Sequence, residues 1–121
     1  MTGEIPSLWP ATLQEASIVT PKSNLCRQAE VISEMTTGRV LGEVHTKVLG
    51  RELTHTFGLV IPGLEGYRHF VLRIRHYLDA PYPLRMFNSE TDDTFHEAPD
   101  ELEFMRALKG HLNSDRILGV I

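Results

Sequence analysis

The chain has 121 residues, 41% of them hydrophobic and 23% charged, a composition that fits one globular domain and excludes disordered or collagen-like chains. Its formal net charge of −4 argues against a general affinity for nucleic acid, which comes from lysine and arginine neutralising phosphates. A domain of this length buries roughly two-thirds of the surface its unfolded chain exposes, enough to fold without disulfides or a structural metal.

The single Cys26 lies on an apolar-periodic segment, away from any histidine or basic cluster, and reads as a buried structural thiol. Nothing in the sequence requires an oxidising compartment. Met1 to Leu13 has no basic region followed by an apolar run, and the longest apolar stretches are a few residues long. The expected protein is cytoplasmic, neither exported nor inserted in a membrane.

Residues 1–19 contain Pro6 and Pro10 and no clear period, so they read as an irregular arm that docks through Leu8, Trp9 and Leu13. Residues 20–121 then form the single α+β domain. Thr20-Pro21 is a helix start, a capping hydroxyl followed by proline at the first helical position. Leu25, Ala29, Ile32 and Met35 make one apolar stripe, and Gly38 stands where a C-terminal cap belongs, so a helix is predicted over about 21–36.

From Arg39 the period changes to alternation. Val40, Gly42, Val44, Thr46 and Val48 share one face of a first strand, and Leu53, His55, Phe57, Leu59 and Ile61 share one face of a second. Gly50-Arg51 is the two-residue connection between them, with glycine where a type II′ turn demands it. After the turn at Pro62–Gly66, Phe70, Leu72 and Ile74 alternate with Val71, Arg73 and Arg75 as the dry and wet faces of a third strand. Pro81 and Pro83 force an extended approach to a short fourth strand, Leu84–Phe87, suited to an edge.

The acidic run Ser89–Asp93 reads as an exposed loop. Pro99 marks a second helix start, with Asp100, Glu101 and Glu103 at the positive end of its dipole. Leu102, Met105, Leu108 and Leu112 form its stripe, with Phe104 adjacent. Asn113 and Ser114 cap a last segment whose Ile117, Leu118, Val120 and Ile121 are unusually apolar for a terminus. Either that segment is docked, in the core or on a partner, or it belongs to an element that continues in a longer chain. The expected architecture is a two-layer α+β fold: an antiparallel sheet of three to four strands with an N-terminal and a C-terminal helix on one face.

Six histidines invite a site, because imidazole is the commonest metal ligand and the usual acid or base near neutral pH. None is paired at helical spacing or joined to a cysteine at zinc-ligand spacing. The candidate metal pair is His45 with His55. The two-residue turn registers His45 with Thr56 and His55 with Thr46, leaving the two diagonal and on opposite faces unless a bulge intervenes. Thr54-His55-Thr56 places hydroxyls beside a histidine, but strand neighbours point to opposite faces, and no nucleophile elbow occurs. The carboxylates from Glu90 to Glu103 solvate a loop and a first helical turn and lack the glycine of a calcium loop. Gly63 and Gly66 precede no helix and cradle no phosphate. No catalytic residue and no cofactor is expected.

What remains is surface. Tyr77, Tyr82 and Arg85 are interface-anchoring types on a proline-stiffened segment, and with Ile117, Leu118, Val120 and Ile121 they form the candidate interface. Arg68, Arg73 and Arg75 form a candidate basic patch. The expected function is a non-enzymatic interaction or regulatory module binding a protein partner or its own copy. The alternatives are a small enzyme or metal-binding protein using sheet histidines, and a binder of nucleic acid or acidic ligand through the arginine face.

Overall fold

The computed structural model describes residues 20–121; the arm expected over 1–19, with Leu8, Trp9 and Leu13, lies outside the described residues. Helix α1 (Pro21–Met35) is followed by five strands: β1 (Leu41–Leu49), β2 (Glu52–Ile61), β3 (Tyr67–Tyr77), β4 (Ala80–Phe87) and β5 (His96–Ala98). Helices α2 (Glu101–Leu112) and α3 (Asp115–Leu118) close the chain. The sheet is an antiparallel meander in the order β1-β2-β3-β4-β5. Sheet and helices make an α+β fold, with one strand more than expected. That strand, β5, is three residues long and sits between an acidic loop and a proline, too short to show a period.

Local chemistry sets the helix ends. Thr20 caps α1 with Pro21 at the first helical position, as the sequence implies, and Ser23 completes a reciprocal capping box. At the other end Thr37 and Gly38 both take positive φ, and the Gly38 N–H donates to the Ser33 carbonyl. Asp100, rather than Pro99, caps α2 by accepting from the Glu103 N–H. Proline therefore precedes the cap.

Both helices contribute to one core on one face of the sheet. Leu25 and Ala29 from α1, Phe104 and Leu108 from α2, and Ile117 from α3 pack with Phe57, Leu59, Leu72, Ile74, Leu84 and Met86. The expected stripes shift at their ends: Met35 is 76% exposed and Leu102 71% exposed. Phe104 takes the place expected of Leu102, because α2 lies with that side against the ring of Tyr82. Gly42 lets α1 approach β1, since a Cβ there would clash with the Ala29 backbone. Cys26 is half-buried on α1.

The largest departure from simple alternation lies in β3. Phe57 pairs with Leu72, whereas Gly58 pairs with Phe70, so Val71 is the extra residue of a β-bulge. Val71, expected on the wet face among arginines, is instead buried in the core. Its carbonyl accepts a hydrogen bond of 2.7 Å from His111 Nε2–H of α2. Gly58 suits this site, because a Cβ there would stand 3.3 Å from the His69 carbonyl oxygen.

Candidate functional site

His45 and His55 point to opposite faces of the β1–β2 hairpin, which has the register the turn implies, His45 with Thr56 and Thr46 with His55. His45 is exposed and lies 3.4 Å from Glu43. His55 is 2% exposed and meets not His45 but His76 of β3, with the two Nε2 atoms 3.0 Å apart. Among the described residues no three histidine, cysteine or carboxylate side chains gather as a metal site would require.

The hydrogen bonds fix the protons of this pair. His76 Nδ1 lies 2.9 Å from the Tyr77 carbonyl, which can only accept, so Nδ1 carries the proton and His76 Nε2 is the acceptor. His55 Nε2–H therefore donates to it, leaving His55 Nδ1 to accept the Thr46 hydroxyl at 2.9 Å. Every ring nitrogen is satisfied with one proton per imidazole. Burial, then the neighbouring His76, then Lys22, lower the pKa of His55 to about 4.

The sequence alternation places His76 on the dry face with Leu72 and Ile74, but not opposite His55. That meeting depends on the bulge. His55 pairs with Ile74 and Leu53 with His76, so the histidines are diagonal neighbours on one face. Without the extra Val71, β2 would slip by one residue against this end of β3, and His76 would pass to the other face.

The arginines occupy that other face, and each has a counter-charge. Arg68 lies 3.3 Å from Glu43, Arg73 3.6 Å from Asp93, and Arg85 3.0 Å from Glu52, with Arg75 3.9 Å from the same carboxylate. Arg73 and Arg75 also stack on Phe87, at 4.6 and 5.4 Å from its ring centre. Arg73 bonds the Glu90 carbonyl as well, tying residues 88–95 across the face. The arginines expected to form a basic patch are thus each ion-paired, with Arg73 and Arg75 lying over the buried Phe87.

The expected interface residues separate. Tyr77 is exposed, and Arg85 reaches over the ring of Phe95. Tyr82 turns to the core beside Phe104, its hydroxyl buried without a protein partner among the described residues. Burial, then Glu101 and Asp100, raise its pKa to about 12. Ile117 is a core residue, Val120 is half-buried, and Leu118 and Ile121 are half-exposed.

Leu118 and Ile121 line a groove of about 190 Å³ between α1 and the C-terminal helices. Val31, Ile32 and Met35 form its other wall, and Phe57, Leu59 and Val71 its floor. The sequence did not assemble this groove, because its walls come from segments about 80 residues apart. The apolar C-terminal tail was the one signal for it.

The chain matches no protein-family model, and neither a curated protein nor a solved structure is significantly similar to it. Among the described residues no helix is long and apolar enough to cross a membrane.

Proposed function

We propose that this protein is a non-enzymatic interaction module that receives an apolar anchor of a partner protein in the groove between α1 and α3. The groove itself is the observation that carries the reading. Its walls are aliphatic, with Gln28 and Asn113 as polar residues among them. A cavity of about 150 Å³ admits a benzene ring, so this one has room for a leucine, phenylalanine or tryptophan side chain. The occupant that fits is an amphipathic helix presenting such a residue, in the mode by which helices lie in apolar grooves. Met35, Leu118 and Ile121 leave much of their surface to solvent at the rim, where a partner gains apolar burial.

The test is a titration of the methyl-labelled full chain with amphipathic helical peptides carrying one leucine, phenylalanine or tryptophan anchor. Shifts should concentrate on Val31, Ile32, Met35, Leu112, Leu118 and Ile121, and Met35→Glu should abolish them. No shift at those methyls would overturn the reading. Binding that appears only after Trp9→Ala would replace it with an intramolecular one, in which the chain's own tryptophan fills the groove.

A further inference from the structure

The two edges of the sheet differ. The β5 edge is three residues long, whereas the β1 edge runs for nine. Long unprotected edges are templates for another strand. Leu49 and Glu52 flank the two-residue turn, so they form a hydrogen-bonded pair, and with them every odd-numbered residue of β1 turns its backbone groups toward β2. The even-numbered residues, Gly42, Val44, Thr46 and Val48, turn theirs outward. The Gly42 N–H shows this direction by donating to Ser33 Oγ of α1 at 3.2 Å.

We propose that β1 is a self-association edge, at which two copies pair antiparallel about a two-fold axis at His45 and join their sheets into one. The sequence Leu41-Gly42-Glu43-Val44-His45-Thr46-Lys47-Val48-Leu49 is self-complementary about that centre. On the outer face Leu41 meets the partner's Leu49, and Glu43 meets the partner's Lys47, each contact occurring twice. On the helix face Val44 meets the partner's Thr46 and Gly42 meets the partner's Val48.

Hydrogen bonding agrees with this register. The outward even-numbered residues face one another, and the charged and leucine pairs fall at non-hydrogen-bonded positions, where side chains come closest. Because the Gly42 N–H is taken by Ser33, Gly42 offers only its carbonyl, and the ladder is strongest between Val44 and Thr46. Lys47 makes no ion pair among the described residues. Val48 and Leu49, 58% and 73% exposed, gain cover. The contact uses no groove residue, so it stands or falls apart from the reading above.

Sedimentation equilibrium on the full chain and on charge variants tests the pairing. The wild-type chain should be a dimer. Glu43→Lys and Lys47→Glu should each weaken it about tenfold, since each puts like charges opposite one another twice. The double variant Glu43→Lys/Lys47→Glu should recover the dimer, and the two single variants mixed should prefer the heterodimer. Val48→Pro, which removes an outward N–H and no bond to β2, should weaken it as well. A monomeric wild-type chain, or a dimer indifferent to Lys47→Glu and Val48→Pro, would overturn the proposal; circular dichroism of each variant separates loss of pairing from loss of fold.

Discussion

Lowering the pH from 7.5 to 5 isolates the buried imidazole pair, because His55 resists protonation in the fold and accepts it readily once unfolded. The folded value of about 4 lies below the ordinary 6.5. Between those values the unfolded chain binds more protons than the folded one, so stability falls as the pH falls and is fully present above 6.5. At about 1.4 kcal/mol per pH unit, the whole gap corresponds to roughly 3 kcal/mol, of which about 2 kcal/mol is lost by pH 5. For a domain of this size that lowers a urea midpoint by about 1–2 M. Other groups also titrate, so the comparison is with His55→Gln, whose amide keeps a donor toward His76 and an acceptor toward Thr46 without titrating. The variant should lose about 1 kcal/mol at pH 7.5 and show a flatter fall to pH 5. An equal fall in both proteins, or an NMR titration placing the folded His55 near 6.5, would refute the tautomer chain from Thr46 to Tyr77.

Gly42→Ala should cost about 1–3 kcal/mol in thermal or urea unfolding, because the atoms its Cβ meets are the Ala29 backbone and Cβ, which a rotamer change cannot move. Gly42→Ala combined with Ala29→Gly should recover part of it. Tyr82, held up to about 12, should show no phenolate absorbance at pH 10.5 in the folded chain. A normal titration of all three tyrosines, with the fold intact, would show that its hydroxyl is solvated.

The first helix start, the type II′ turn and the β1–β2 register were legible because each is fixed by residues close in sequence. Gly50 has φ +62°, and Arg51 is not among the residues with positive φ. The losses came where an element is defined by its neighbours. β5 becomes a strand by lying beside Leu84–Met86, and Leu102 is exposed because α2 turns Phe104 instead toward Tyr82. The bulge was the costliest gap. Alternation in β3 reads equally well with Val71 wet, and it is the register, Phe57 with Leu72 and Gly58 with Phe70, that shows which residue is extra. One misplaced residue hides the His55–His76 contact and the Val71–His111 bond together.

The bulge also bears on where function can reside. It turns His76 inward to a partner that leaves neither imidazole a spare acceptor, and it lays Val71 in the floor of the groove. A catalytic imidazole needs an approach for substrate and a nitrogen to offer it, and His55 and His76 have spent theirs on Thr46, each other and a carbonyl. The pair therefore acts on the fold, by resisting separation of β1, β2 and β3 at neutral pH. Its loss in acid should loosen the hairpin that carries the β1 edge before it disturbs α2, whose Phe104 and Leu108 pack toward β4 and β5. Hydrogen exchange at pH 5 orders those events: amides of residues 43–56 should open ahead of those of residues 104–112. The reverse order would mean that the histidines are bystanders to acid unfolding.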